Sequence, residues 1–110
     1  MNRQLYHTTD SRGVSEICPE KTRMRAIIQT LDLDEATAQE HPDVSLVHDE
    51  TGWSISLYPN GIATLENLND NDETAPRFLR NIDRNQAFSL WCQLAEGRIE
   101  ALRQLNWNSA

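Results

Sequence analysis

The stretch that decides the fold is Val44 to Asn67, VSLVHDETGWSISLYPNGIATLEN. It predicts three short antiparallel strands, because apolar residues alternate with polar ones and two segments rich in turn-forming residues interrupt them. A one-residue slip would move every side chain to the other face of the sheet, so the pattern itself defines the register. The rest of the chain is expected to cover one face of this three-stranded meander.

The second turn fixes that register. A two-residue Asn-Gly turn would pair apolar residues with polar ones across the strands. A three-residue loop, Pro59–Gly61, instead pairs Leu57 with Ala63 and Ile55 with Leu65. Proline suits the first position of such a loop and glycine its left-handed last position. The three-residue loop is therefore predicted.

The first turn is predicted to be the four-residue loop 49–52. It pairs His48 with Trp53, Leu46 with Ile55, and Val44 with Leu57. One face of the meander is then apolar, and the other carries hydroxyls and a carboxylate, namely Ser45, Ser54, Ser56, Tyr58, Thr64 and Glu66. His48 lies beside Trp53 at the rim of the core, where a half-buried structural role is favoured over that of a ligand or base.

The flanking segments predict helices, which makes the fold class α+β. An N-terminal helix is expected from Ser15 or Pro19, with Met24, Ile27, Ile28 and Leu31 as its apolar stripe. A further short helix is expected over 34–40. After a polar loop, residues 77–82 suggest a short strand anchored by Phe78 and Ile82.

The clearest helix is predicted to begin after Asp83. Asp83 and Gln86 have the spacing of a capping box, and Gly97 is a stop signal. A second C-terminal helical segment is expected to end near Trp107. Both C-terminal helices should pack on the apolar face of the meander, with Trp91 buried against it.

The 110 residues indicate a single domain, 1–110, with residues 1–14 as a frayed arm or an irregular edge piece, because they show no periodicity. No apolar run has the length of a membrane span, and the first residues lack the apolar core of a signal peptide. A cytoplasmic protein that does not contact membranes is therefore expected. Free in solution, it is expected to be a monomer.

The charge distribution is more informative than the net charge of -7. Residues 31–73 contain eleven acidic residues and no Lys or Arg, whereas the segments on either side contain five basic and three acidic residues each. Phosphate recognition depends on Lys and Arg, which argues against nucleic acid as a partner. A basic protein surface would be attracted to this zone. Simple solubility is an equally good explanation of the acidity.

Catalytic motifs are absent from the sequence. It contains no glycine-rich phosphate loop, nucleophile elbow, HExxH or CxxC pattern, so we expect no enzyme activity and no cofactor. The loop acids could form a cation site, but their spacing does not match the EF-hand pattern, and we expect no bound metal. These acids are Asp49, Glu50, Asp70, Asp72 and Glu73.

Two segments carry a family resemblance: GWSISLYPNGIATLENL at 52–68 and PRFLRNIDRNQAFSLWCQLAEGRIEAL at 76–102, followed by Trp107. Together they resemble small bacterial immunity proteins that accompany secreted polymorphic toxins of the Rhs and type VI kinds. The resemblance implies that the chain neutralises a cognate toxin in the cytoplasm by occluding its active site. It carries no motif from which a functional residue could be transferred.

The leading hypothesis is therefore a non-enzymatic immunity protein that occludes the basic active-site cleft of a toxin domain. Its expected electrostatic contacts are Asp49, Glu50, Asp70, Asp72 and Glu73, with Tyr58 and Glu66 at the centre. The alternative is a small ligand-binding or enzymatic domain that uses the face lined by Ser, Thr and Tyr. A third possibility is an accessory subunit that forms a homodimer through that face.

Overall fold

The computed structural model describes residues 5–32, 42–69 and 76–109 and has an α+β fold. All strands pair antiparallel in one sheet, in the order β2-β1-β3-β4-β5-β6-β7. The strands are β1 (Tyr6–Thr9), β2 (Ser15–Ile17), β3 (Val44–His48), β4 (Trp53–Leu57), β5 (Ala63–Asn67), β6 (Arg77–Leu79) and β7 (Asn108–Ser109). The predicted meander is thus the centre of a larger sheet.

The register of the meander is confirmed. Leu57 pairs with Ala63 and Ile55 with Leu65, while Val44 and Leu46 pair with Leu57 and Ile55 on the other side. The loop between β4 and β5 closes with a bond from the Tyr58 N–H to the Ile62 carbonyl, 2.9 Å, and Gly61 has a φ of 83°. The alternation of apolar residues, together with this glycine, determines the pairing.

The helices are α1 (Lys21–Gln29), continued by a 3₁₀ turn (Thr30–Asp32), α2 (Arg84–Ala95) and α3 (Ile99–Arg103). The apolar stripe predicted for α1 is buried, although Pro19 precedes the helix instead of lying in its first turn. The capping box of α2 is present, with the Gln86 N–H donating to Asp83 Oδ1 and the Asp83 N–H to Gln86 Oε1. Trp107 lies beyond the end of α3 and donates its indole N–H to the Leu102 carbonyl.

The core lies between one face of the sheet and the helices. Helix α2 packs on β3 and β4, and α1 packs beside α2. Trp91 is fully buried, and its Nε1–H donates to the Ile55 carbonyl at 3.2 Å. None of the helices that the structure describes is long and apolar enough to cross a membrane. The short helix expected over 34–40 lies outside the described residues.

The expectation of a frayed arm over 1–14 was wrong for β1. This strand lies inside the sheet between β2 and β3, with Thr8 opposite Leu46 and Tyr6 opposite His48. The core-facing residues of β1 are thus a tyrosine and a threonine, so the strand has no apolar alternation that would have predicted it. Three strands outside the meander, β1, β2 and β7, were not predicted, and β2 and β7 are very short.

Candidate functional site

One face of the sheet is left uncovered by the described elements, and we call it the open face. Cross-strand pairing assigns its members in two rows. The first row is Ile17, His7, Val47, Ser54 and Glu66, and the second is Ser15, Thr9, Ser45, Ser56, Thr64, Phe78 and Asn108. The hydroxyl-rich surface expected for the meander therefore extends over the neighbouring strands.

The serines at the centre of the open face were expected to be accessible to solvent, but they are buried. Ser54 is 3% exposed and Ser56 is 8% exposed, although both point away from the helices. They are small residues on the central strand, and larger neighbours such as Val47 and Glu66 stand on either side in the same row. A nucleophile or a hydrogen-bonding surface at the middle of this face would be shielded by those neighbours.

The first hairpin tip, residues 49–52, is held by polar contacts from both sides. His7 Nδ1 donates to Asp49 Oδ1 at 2.7 Å, and the Asp49 N–H donates to the Leu5 carbonyl at 3.0 Å. His48 is 2% exposed, with Nδ1 2.7 Å from Thr51 Oγ1. His48 is thus more deeply buried than its expected position at the rim of the core, and it contributes to the structure of the tip.

The end of β5 is bonded to the same hairpin tip. Asn67 Nδ2 donates to the Thr51 carbonyl at 3.2 Å, and the Leu68 N–H donates to the Gly52 carbonyl at 2.8 Å. The chain therefore enters the polar loop 70–75 from beside residues 49–52. Of the acids proposed for that loop, Asp70, Asp72 and Glu73 lie outside the described residues.

The described members of the predicted contact set lie at two ends of the sheet. Asp49 and Glu50 are at the first hairpin tip, and Glu66 pairs with Ser54 close to it. Tyr58 follows the far end of β4, about 17 Å from Trp53 at 3.3 Å per residue. The structure thus separates Tyr58 from Asp49 and Glu50, whereas Glu66 is close enough for its charge to raise the pKa of the Tyr58 phenol. We call residues 49–52 with Glu66 the acidic end.

Several carboxylates outside the acidic end contact arginines, in the Glu16–Arg23, Asp32–Arg84, Glu96–Arg98 and Glu100–Arg103 pairs. Others, namely Asp10, Glu20, Asp43 and Asp83, form no ion pair among the described residues. Within residues 5–32, 42–69 and 76–109, neither Glu50 nor Glu66 forms an ion pair, and Asp49 contacts only His7 among the basic residues. Glu50 and Glu66 are therefore carboxylates without an ion pair in the described part of the chain.

Tyr58 lies in a different electrostatic environment, at the other end of the open face. Partial burial is the main cause that raises the pKa of its phenol, and the negative charges of Asp43 and Glu66 add to the shift. The phenol therefore stays protonated as a hydrogen-bond donor at neutral pH.

A groove of about 460 Å³ opens beside Tyr58, and sequence reasoning did not predict it. Its lining residues are Tyr58, Asn60, Ile62, Thr64, Pro76, Arg77, Phe78 and Arg80. The Arg80 guanidinium lies over the Phe78 ring, 5.0 Å from its centroid. Phe78 was predicted to anchor the short strand β6, but it pairs with Thr64 on the open face, and Leu79 takes the core position. The alternating register across β6 is the signal that could have located the groove.

Among the described ranges, no group of three or more His, Cys, Asp or Glu residues is arranged to hold an ion. Comparison of the chain with protein-family models, with curated proteins and with solved structures finds no significant match in any of the three.

Proposed function

We propose that this chain is a non-enzymatic immunity protein that binds a toxin domain with a basic surface in the cytoplasm and occludes its active site. The observation that carries the proposal is the set of carboxylates at the acidic end. Glu50 and Glu66 have no basic partner among the described residues, whereas four acids elsewhere are paired with arginines. A partner with Lys or Arg around its active site would complement them.

The acidic end also has the rigidity that an inhibitor needs. The hairpin tip is bonded to β1 through His7 and Leu5, and to β5 through Asn67 and Leu68. A tip fixed in this way loses little conformational entropy on binding, which favours affinity. Asp70, Asp72 and Glu73 follow this end in the sequence and belong to the same proposed contact. Tyr58, beyond the far end of β4, would contact only a partner that extends along the open face.

The carboxylates of this surface are expected to contribute unequally to the attraction of a basic partner. Asp49 is engaged by His7, so a basic partner would compete with an internal hydrogen bond for its carboxylate. Glu50 and Glu66 make no such bond in the residues that the structure describes, and they should contribute more to the attraction. Exposed charges of this kind mainly accelerate association and orient the encounter.

The test begins with the partner. We expect a neighbouring coding sequence to encode a secreted protein that ends in a small basic domain, and we expect that domain to co-purify with this chain. Producing the domain alone should arrest bacterial growth, and co-production of the chain should restore it. A domain that neither binds the chain nor is neutralised by it would refute the proposed function.

Charge reversal locates the contact. Glu50→Lys combined with Glu66→Lys should slow association at low salt by about tenfold, because two attractive charges become repulsive. The matched control is Glu20→Lys beside α1, which reverses an exposed acid without an ion pair among the described residues and should leave association unchanged. Equal association rates for the double variant and the wild type would exclude the acidic end as the contact.

A further inference from the structure

The groove beside Tyr58 has the dimensions and composition of a small-molecule site. Its volume of about 460 Å³ falls within the range of roughly 300–1,000 Å³ that such sites occupy. Its lining combines two aromatic rings and two other apolar residues with four polar residues, Asn60, Thr64, Arg77 and Arg80. Binding pockets for organic ligands have this combination, because the apolar surface supplies affinity and the polar groups fix orientation.

The walls of the groove are fixed before any ligand arrives. The loop between β4 and β5 is closed by the bond from Tyr58 to Ile62, and the Ile62 N–H also contacts Asn60 Oδ1 at 3.3 Å. From the other side, the Ile82 N–H donates to the Gly61 carbonyl at 2.9 Å. Arg84 Nη2 donates to the Pro59 carbonyl at 3.0 Å. Binding of a ligand would therefore cost little conformational entropy in these residues.

Arg80 supplies a positive charge that no carboxylate of the described residues neutralises. Four other arginines are paired with acids, whereas across the described ranges Arg80 contacts only the ring of Phe78. Arg77 also lines the groove, but it pairs with Leu65, so the register directs its side chain to the helical face. Arg80 is therefore the cation that the groove presents to a ligand.

The groove has negative charges near Tyr58 and a positive charge at Arg80. Burial is the largest cause of the raised pKa of the Tyr58 phenol, and the negative charges of Asp43 and Glu66 raise it further. Arg80 directly follows β6, and its guanidinium lies over the ring of Phe78. An anionic group is repelled from the Tyr58 side and attracted to the Arg80 side. An apolar body can pack against Tyr58 and Phe78, which both line the groove.

From this geometry we propose that the groove is a binding site for a small aromatic carboxylate. The carboxylate pairs with the Arg80 guanidinium, and the aromatic body packs against Tyr58, Ile62 and Phe78. Arginine is suited to this role because its planar guanidinium binds carboxylates through two parallel hydrogen bonds and also stacks on aromatic rings. The site lies at the far end of β4 from residues 49–52. It shares Tyr58 with the proposed toxin contact and Glu66 acts on it, but the titration below tests it without a toxin.

The experiment compares two probes of nearly the same shape and opposite charge. 2-Naphthoate and 2-naphthylmethylammonium are titrated into the full-length, ¹⁵N-labelled chain, and amide shifts are followed by NMR. Naphthoate should shift the amides of Ile62, Thr64 and Phe78 saturably, and the ammonium compound should bind about tenfold more weakly or not at all. Equal binding of the two probes, no saturable binding of naphthoate, or shifts confined to another surface would overturn the proposal.

Variants of two exposed arginines complete the test. Arg80→Gln should weaken naphthoate binding by roughly tenfold, the loss expected for one charge-assisted interaction, and Arg80→Lys should weaken it less. Arg12→Gln in the β1–β2 turn removes another exposed arginine without an ion pair in the described structure and should have no effect. Wild-type affinity in Arg80→Gln, with the amide spectrum otherwise unchanged, would exclude Arg80 as the recognition group.

Discussion

The indole Nε1–H of Trp91 donates a hydrogen bond to the backbone carbonyl of Ile55, 3.2 Å away, and joins the central helix to the central strand. Both side chains are fully buried. Trp91 therefore contributes in two ways, through the apolar area of its ring and through a directed bond that fixes how α2 crosses the sheet. The position of the open face follows from this contact, because the helices cover the other face.

The first prediction concerns this contact. Trp91→Ala should lower the free energy of unfolding by about 3–5 kcal/mol, because it leaves a large cavity in the core. Trp91→Phe keeps most of the ring and removes the hydrogen bond, so the loss should be smaller, about 1–2 kcal/mol. Urea denaturation of both variants measures the difference. A Trp91→Phe variant as unstable as Trp91→Ala would show that the bond, not the volume, dominates.

A second prediction follows from Thr8. This residue is fully buried on the core face, opposite Leu46, and its Oγ1 has no hydrogen-bond partner among the described residues. A buried hydroxyl without a partner costs free energy, because it loses its bonds to water. Thr8→Val keeps the shape and removes the hydroxyl, so it should raise the stability by about 1 kcal/mol.

Thr9 is the matched control for that substitution. It is the next residue on the same strand, but it faces the open side, and its Oγ1 lies 3.0 Å from Ser15 Oγ. Thr9→Val should therefore be neutral or slightly destabilising in the same urea titration. If Thr8→Val destabilises the protein while Thr9→Val does not, the Thr8 hydroxyl has a partner such as a buried water, and the prediction fails.

Thr8 also explains why part of the fold could not be predicted. The meander was predictable, with its register, because alternating apolar residues face the core and Gly61 punctuates the turn. Helix α2 was predictable from the capping box at Asp83. In β1 the core position belongs to a threonine, so the strand lacks the alternation on which such a prediction depends. Its place in the sheet results from pairing with β3, a long-range contact.

The candidate sites depended on those long-range contacts as well. The sequence identified the acids of residues 31–73, but the pairing of His7 with Asp49 requires β1 beside β3. The groove requires β6 beside β5, which brings Phe78 opposite Thr64. Sequence patterns predict which residue types a strand contains. They do not predict which strands become neighbours when the pairing strands are only three or four residues long.

A third prediction compares two turn glycines. Gly52 has a φ of 79°, and a Cβ there would lie 2.4 Å from Asn69 Nδ2 and 3.2 Å from Asn67 Oδ1. Gly61 has a φ of 83°, but its nearest neighbour, the Ile82 carbonyl oxygen, would be 3.4 Å away. Gly61→Ala should cost about 1–2 kcal/mol from backbone strain alone. Gly52→Ala should cost more, because it displaces the Asn69 side chain and also crowds Asn67 Oδ1, which accepts the Asn69 N–H.

Thermal unfolding of the two alanine variants at one protein concentration checks this order. Gly52→Ala should also change the amide shifts of Thr51 and Leu68, since the Gly52 carbonyl accepts the Leu68 N–H. A Gly61→Ala variant that is less stable than Gly52→Ala would contradict the contact argument. In that event the second turn, and not the hairpin tip, would be the more constrained part of the meander.

The last prediction concerns the ionisation of Tyr58, which reports on the charges beside the groove. Burial raises its pKa above the ordinary value of 10.0, and the carboxylates of Asp43 and Glu66 raise it further, because they repel the phenolate. Asp43→Asn and Glu66→Gln should each lower the pKa of Tyr58. Glu50→Gln, which removes a carboxylate at the hairpin tip, should leave it unchanged. The chain has two tyrosines, so a Tyr6→Phe background isolates the ultraviolet signal of Tyr58.

The raised pKa of Tyr58 also makes the stability of the fold decrease at alkaline pH. The folded protein holds the phenol proton more tightly than the unfolded chain does, so the contribution of Tyr58 to stability is complete below pH 10.0. It is lost as the pH rises above that value and through the folded pKa. In the Tyr6→Phe background, Glu66→Gln should therefore reduce the loss of stability between neutral and strongly alkaline pH. A pKa of Tyr58 that does not respond to either Asp43→Asn or Glu66→Gln would show that the carboxylates are too far away or too well solvated to act on the groove.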